Sequence, residues 1–305
     1  MVRILGIGDC MCDRNMTTGI MYPGGQALNV AVHARLIGEQ AGMMGCFGND
    51  EVAAHILRTL DLLGVDRSHS RNYPVPSHTA FYVVEGNERI FIDPPRRPHP
   101  MSEVLYDMLA YEGFTEDDWK YISGFDVVHC SNDSRIEQYF PEFKRRGIRL
   151  SFDFSVFYER GGYMEQVCPY ADFALFSCSG KSERETQAIL EKANKLGTSI
   201  SVGTRGNAGA LCFDGVNIYK QPAIDCPGIV DTMGAGDAFI SAFLVGCLRT
   251  AKAGEPLSGT FQELMRNAAE YAANACLTEG SFGYGIPFDI GSFCTEQKTG
   301  GKKRC

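Results

Sequence analysis

The residues best suited to chemistry lie late in the chain. Residues 229–246 read Ile-Val-Asp-Thr-Met-Gly-Ala-Gly-Asp-Ala-Phe-Ile-Ser-Ala-Phe-Leu-Val-Gly. From Ala238 onward the run is apolar on nearly every face and long enough for several turns, which predicts a buried helix. Gly234, Ala235 and Gly236 stand at its start, where small side chains leave backbone N–H groups uncovered. Those groups have no partner inside a helix, and the helix dipole adds partial positive charge, so an anion is stabilised there. Asp237 falls in the first turn and points to where that anion would sit. Amides for developing charge and a carboxylate to take a hydroxyl proton are the parts of a phosphoryl-transfer site. A lone Gly-x-Gly-Asp string also describes an ordinary glycine turn before a helix, so other stretches must decide.

The elements that would position this site begin at the N-terminus. Residues 4–8 form a short apolar run, read as a buried strand that ends in Gly8-Asp9. Asp9 and Asp13 follow in what reads as the loop beyond it. Ligands of open α/β sheets bind beyond the carboxyl ends of strands, so both can accept hydrogen bonds from sugar hydroxyls; both also suit a simple turn. Gly6-Ile7-Gly8 opens like a dinucleotide fingerprint, but the third glycine would fall at Met11 and the fingerprint fails. Gly24-Gly25 opens an amphipathic helix running to about Gly38, with Asn29 in its first turns able to donate and accept. His33, four residues on, reads as a packed histidine.

Beyond residue 64 the texture changes. Residues 79–84 and 89–92 flank Glu85-Gly86-Asn87-Glu88, a β-hairpin pattern, and a Pro-rich stretch follows at 93–100. A hairpin and such a loop at about 75–100, inserted between βα units, predict a small β lid, or an edge hairpin without a moving part. The hairpin and loop carry Glu85, Glu88, Arg89, Asp93, Arg96, Arg97 and His99. Arginine there suits a substrate carboxylate, because its fork binds both oxygens. From residue 126 strands and helices alternate, which implies a mostly parallel central sheet with helices on both faces. Thr204, Gly206 and Gly209 follow a strand at 199–202; the glycines fit close approach to phosphates, and they also fit the turn of a hairpin around Asp214-Gly215. Residues 263–277 predict an alanine-rich helix, and pattern is lost in a tail at 288–305.

Composition narrows the class. The chain has 305 residues, a net charge of −8 and 44% hydrophobic residues, which suits one α/β domain over 1–305 with a large core. No basic patch marks a nucleic-acid partner, and no run of about eighteen apolar residues marks a membrane span. Twelve cysteines are scattered without Cys-x-x-Cys or zinc spacing, which suits reduced thiols in the cytoplasm. No Walker-type phosphate loop is present.

Gly24-Gly25 with Asn29, and Asp231-Thr232-Met233-Gly234-Ala235-Gly236-Asp237, resemble the two signatures of the ribokinase-type, or pfkB, carbohydrate kinases. The resemblance covers the chain to about Gly285. It implies a ribokinase-like fold, an ATP-dependent phosphotransferase and a sugar substrate. By position, Asp237 would be the base and Gly234, Ala235 and Gly236 the anion hole. Asp13, Gly24, Gly25 and Asn29 would hold the sugar, and Thr204, Gly206 and Gly209 the nucleotide. Mg2+ would arrive with ATP, and Asp231 with the 280–285 loop would hold a monovalent cation such as K+, as in some relatives. A homodimer through the lid also follows. Within the family the likeness extends to the kinases of fructosamines such as fructoselysine, through Phe152-Asp153-Phe154-Ser155 and Phe125-Asp126-Val127-Val128-His129. One departure stands out: the family's Asn-x-x-Glu motif, tied to magnesium, is replaced by Ser177-Cys178-Ser179-Gly180, with Glu183 nearby. Competing readings are a kinase of fructose, ribose or a nucleoside, and a sugar-binding relative without catalysis, which would have no need of Asp237.

Overall fold

The protein is described here by a computed structural model covering residues 1–85, 88–93 and 104–293. The strands are β1 (Arg3–Gly8), β2 (Met11–Asn15), β3 (Ile20–Gly24), β4 (Gln40–Phe47), β5 (Arg71–Asn72), β6 (Thr79–Glu85), β7 (Glu88–Phe91), β8 (Val127–Ser131), β9 (Leu150–Asp153), β10 (Phe173–Ser177), β11 (Ile200–Thr204), β12 (Ala210–Phe213), β13 (Ile218–Gln221) and β14 (Ile286–Pro287). The helices are α1 (Gln26–Leu36), α2 (Glu51–Leu63), α3 (Val104–Glu112), α4 (Glu116–Ile122), α5 (Phe140–Arg145), α6 (Tyr163–Val167), α7 (Glu183–Leu196), α8 (Ala235–Lys252) and α9 (Phe261–Ala275).

The strands form two sheets. The large one has nine strands in the order β13-β12-β11-β10-β9-β8-β1-β4-β5. It is parallel from β11 to β5, and β12 and β13 add an antiparallel hairpin at one edge. Successive side chains of a strand point to opposite faces, and the core divides accordingly. Ile4 and Val127 join one apolar cluster with residues of α1, α2, α8 and α9. Leu5 and Val128 join the other, with residues of α3 to α7. The alternation therefore places helices on both faces, as expected.

The second sheet, in the order β14-β3-β2-β6-β7, is wider than the hairpin at 75–100 that the sequence suggested. It takes two strands from residues 11–24, which read as loop because polar Asp13, Arg14 and Asn15 break the apolar pattern. All three are nevertheless buried. The chain beyond Pro287 also packs rather than trailing off: Phe288 and Phe293 lie against the Arg14 guanidinium, 5.1 and 4.4 Å from ring centre to charge. The Pro-rich stretch from residue 94, with Arg96, Arg97 and His99, lies outside the described residues, as does the chain after 293.

Helix α1 lies at the centre of the fold, between the large sheet and α8. Its residues from Ala27 to Ala34 are all buried, so it is covered on every side rather than amphipathic. Contact with β1 is close enough to explain Gly6: a Cβ there would stand 2.2 Å from the Ala27 carbonyl oxygen. The glycine pair that mimicked a dinucleotide fingerprint thus serves helix–strand packing. Gly6→Ala forces backbone apart in a dense core, and the expected loss is about 1–3 kcal/mol, read as a lower urea midpoint at an unchanged denaturant slope.

Candidate active site

The large sheet presents the carboxyl ends of β1, β8 and β9 to one crevice, and the first turns of α1 and α8 project into it. An α-helix starts with N–H groups that lack intrahelical partners. For α1 those donors are met from a distant part of the chain. Asp9, at the end of β1, accepts from the Gln26 N–H and, at 3.2 Å, from the Ala27 N–H; Ser131 of β8 donates to its Oδ1 at 3.0 Å. Asp9 was read as a sugar ligand. The structure instead spends its oxygens on capping α1 and tying β8 to it.

Asp13 differs. It lies on strand β2 of the small sheet, not in a loop, and it is 6% exposed. Among the described residues its carboxylate accepts no hydrogen bond. Gly24, on the neighbouring strand β3, leaves room for it, since a Cβ there would stand 2.3 Å from Asp13 Oδ2. Gly25 is the residue before α1 and lies against Asp9. The pairing of β2 with β3 therefore explains why an aspartate and a glycine far apart in pattern belong to one pocket.

Asp237 sits in the first turn of α8 and is 8% exposed. Its Oδ2 accepts from Asn29 Nδ2 at 2.7 Å, and the same amide nitrogen donates to Ser281 Oγ at 3.0 Å. Asn29 Oδ1 is buried without a hydrogen-bond partner. Packing of α8 along α1 brings these residues together from opposite ends of the chain. Gly234 takes the left-handed conformation, φ 70°, and Ser281 fills the space where its Cβ would go, so both backbone and packing call for glycine. Gly236 is different: its missing Cβ would meet nothing within 4 Å. Among the described residues, the N–H groups of Gly236 and Asp237 donate to no acceptor. A helix N-terminus with free amides, open space before it and a carboxylate beside it can hold an anion next to a proton acceptor.

Arg89, which the sequence suggested for a substrate carboxylate, has a protein carboxylate as its partner. From β7 of the small sheet its guanidinium reaches Asp231 and, at 3.3 Å, Thr232 Oγ1. Asp231 also accepts from the N–H groups of Met233 and Gly280, each at 2.9 Å. The charge facing Asp231 is therefore an arginine from the small sheet, in the place where a monovalent cation was expected. Long-range pairing of this kind leaves no trace in local pattern.

The Thr204–Gly209 stretch ends β11 and turns into the β12–β13 hairpin. Gly209 is explained by that turn, since a Cβ would stand 2.0 Å from the Gln221 carbonyl oxygen. Gly206 has no such crowding, its nearest neighbour being Ser179 Oγ at 3.6 Å. The Ser177–Gly180 segment lies alongside, with Cys178 N–H donating to the Thr204 carbonyl at 2.7 Å. Glu183 pairs with Lys220 at the start of α7. Among the described residues no three His, Cys, Asp or Glu side chains converge as a metal site, and no helix is long and apolar enough to cross a membrane.

Sequence reading missed Gln26, Ser131, Ser281 and Asp153. Asp153 carried a signal: it is a carboxylate at the carboxyl end of a strand, as Asp9 is. It is 5% exposed, and its Oδ1 accepts the Ser155 N–H at 2.6 Å.

The sequence profile of the pfkB family of carbohydrate kinases matches residues 8–142 and 171–284. The chain is 35% identical over 300 residues to the fructosamine kinase of Bacillus subtilis, covering 98% of this chain and 99% of that protein. It is 29% identical over 247 residues to the fructoselysine 6-kinase of Escherichia coli, covering 81% and 89%. In fold it resembles the ribokinase of Arabidopsis thaliana complexed with ribose and ATP, with a TM-score of 0.70, 20% identity and 96% of each chain covered.

The electrostatics of the crevice are acidic. Burial raises the Asp9 carboxyl to about 6, with Asp133 adding to it and its hydrogen bonds opposing. Burial raises Asp13 to about 7, with Arg89 opposing. Burial raises Asp153 to about 7, and it raises Asp237 well above the ordinary carboxylate range, with Asp153, Asp9 and Asp13 adding to it. A carboxyl whose folded pKa lies above its unfolded value of about 4 binds more protons in the folded state, so stability falls as pH rises from about 4 through 7. The buried imidazoles of His33 and His129, pushed down to about 4 and about 3 by burial, act with the opposite sign below about pH 6.5. The loss from the carboxyls should therefore show as a falling melting temperature of the ligand-free protein above that pH. Asp13→Asn should be more stable than wild type at pH 8, by a margin that shrinks toward pH 4, as calorimetry across that range would read.

Proposed function

The chain belongs to the pfkB family of carbohydrate kinases, and from that premise we propose that it transfers the γ-phosphoryl group of ATP to the 6-hydroxyl of a fructosamine such as fructoselysine. The observation that carries the reading is Asp237, buried against Asn29 at the free N-terminus of α8. In this proposal Asp237 accepts the proton of the sugar hydroxyl as the new bond to phosphorus forms. Its raised pKa suits a base that must hold that proton. The free N–H groups of Gly236 and Asp237, with Gly234 and Ala235 shaping the turn, take the charge that develops on the transferred group. Asp13 and Asn29 hold sugar hydroxyls, and Gly24 and Gly25 keep the space beside them open. Thr204 and Gly206 border the nucleotide, and Gly209 shapes the hairpin behind them. Magnesium accompanies the phosphates of ATP.

Two further parts of the proposal follow from the small sheet. Arg89 supplies the positive charge at Asp231 and ties that sheet to the anion-binding turn, so a K+ ion at this place would have to displace it. The exposed Val84, Ile90 and Phe91 on the hairpin are what a homodimer through this sheet would cover. A cytoplasmic setting belongs to the same proposal and agrees with ten free cysteines among the described residues. The substrate rests on the activities of the two relatives above, one of which aligns along nearly the whole chain.

Steady-state kinetics test the reading at two levels. Asp237→Asn should cost roughly 10²–10⁴ in kcat with little change in ATP affinity, and Gly236→Val should fold normally yet lose phosphoryl transfer, because its side chain fills the open space at the helix start. Activity within a few-fold of wild type in either variant removes that residue from the mechanism. For the substrate, kcat/KM should rank fructoselysine above fructose and ribose; a free sugar used as well as the adduct would overturn the fructosamine assignment and leave the kinase standing.

A further inference from the structure

Asp231 is where the family resemblance puts a monovalent cation, and the groups around it do not fit one. Such an ion is held by oxygen lone pairs. Here the Asp231 carboxylate already gives its lone pairs to donors. The Arg89 guanidinium and the Met233 N–H, the latter at 2.9 Å, meet Oδ1, and the Gly280 N–H meets Oδ2 at 2.9 Å. We infer that Arg89 is a built-in substitute for the cation, a positioning residue that makes phosphoryl transfer independent of K+. The inference rests on the kinase reading of the site and not on the choice of sugar.

The Asp231 carboxylate holds two segments together. Through Met233 it shapes the turn that precedes α8, and through Gly280 it holds the loop that carries Ser281. Ser281 lies against Gly234 and accepts from Asn29, which also donates to Asp237. The start of α8, with its free N–H groups, is seated on these contacts. The same carboxylate is a fixed negative charge in the turn that would receive a phosphoryl group. Unopposed, it would repel that group, and strongly so where water is scarce. Its side chain is 11% exposed, so the charge needs a positive partner at close range.

Arginine can fill this role permanently. Its guanidinium stays charged, and its planar fork can meet more than one acceptor. Arg89 reaches Asp231 and, at 3.3 Å, Thr232 Oγ1, and its charge lies 5.9 Å from the centre of the Tyr82 ring. The β6–β7 pairing sets Arg89 across from Val84, two residues along the strand from the buried Tyr82 and on the same face. The guanidinium is therefore brought to Asp231 by strand register and held there at three points. A solvent cation has no comparable claim on the place while Arg89 remains.

The experiment measures sugar-dependent ADP formation with ATP, magnesium and sugar free of alkali cations, in N-methyl-D-glucamine chloride or in KCl at equal ionic strength. Wild type should turn over equally in both. Arg89→Ala exposes the Asp231 and Thr232 oxygens to an emptied space, so K+ should now matter. Without it kcat should fall roughly 100-fold, the cost of about 1 Å of misplacement at a reacting site, and KCl should restore most of the loss. Arg89→Lys keeps the charge and should stay indifferent to K+. Melting curves give a readout without turnover: KCl should raise the melting temperature of ligand-free Arg89→Ala over N-methyl-D-glucamine chloride, and should not raise that of wild type. Wild-type activity that depends on K+ overturns the inference, as does a loss in Arg89→Ala that K+ leaves unrepaired. A loss confined to KM for fructoselysine overturns it too and returns Arg89 to the substrate carboxylate. Should Arg89→Ala prove unfolded, Arg89→Met keeps a stem over Tyr82 and carries the same comparison. A wild type that phosphorylates no sugar in either salt overturns the kinase reading itself, and the inference falls with it.

Discussion

The first turn of α1 is the constraint on which the site depends. A helix that starts inside a protein must find partners for its leading N–H groups. Here the partner is Asp9, delivered by the end of β1, so the helix start and the sheet edge are locked at hydrogen-bonding distance. Gly6 removes the Cβ that would hold helix and strand apart. With α1 seated in this way, Gln26 and Asn29 face the crevice, and α8 packs beside them with Asp237 in its own first turn. Two helix starts thus share one pocket. One is neutralised by a protein carboxylate, and the other is left with free amides.

That asymmetry separates scaffold from chemistry. Asp9 and Asp237 are both buried aspartates near a helix start. Asp9 has its charge spread over three donors, two backbone and one hydroxyl. Asp237 has Asn29 alone, and the neighbouring carboxylates push its proton affinity up. The first is a cap, and the second is a group poised to exchange a proton. Concentrating Asp13, Asp153 and Asp237 in one dry crevice works against folding at neutral pH. Natural proteins accept such costs at sites where a ligand later satisfies the groups.

The small sheet contributes what the large one cannot. It delivers Asp13 from β2 and Arg89 from β7 to a crevice otherwise built of helix starts and strand ends. The Arg89–Asp231 pair joins it to the turn before α8. Phe288 and Phe293 close over Arg14 on the same sheet, which makes the end of the described chain part of the small sheet rather than an appendage.

Local pattern alone determined a buried helix through Gly246, which the structure carries on to Lys252, the glycines at its start, Asp237 in its first turn and the alternation of strands and helices after residue 126. These follow from periodicity and from the chemistry of a helix terminus, both short-range properties. The same short range explains the misreadings. Asp9 and Asp13 are each an aspartate after an apolar run, yet one caps a helix seventeen residues away and the other lies on a strand whose partner holds Gly24. Arg89 read as a substrate ligand because its partner, Asp231, is 142 residues distant. Gly209 fitted a phosphate approach and a hairpin turn alike, and the Gln221 carbonyl beside it accounts for it by the turn. Which oxygen a carboxylate shares, and with whom, is set by strand register and helix packing between distant segments, and only the tertiary structure decides it.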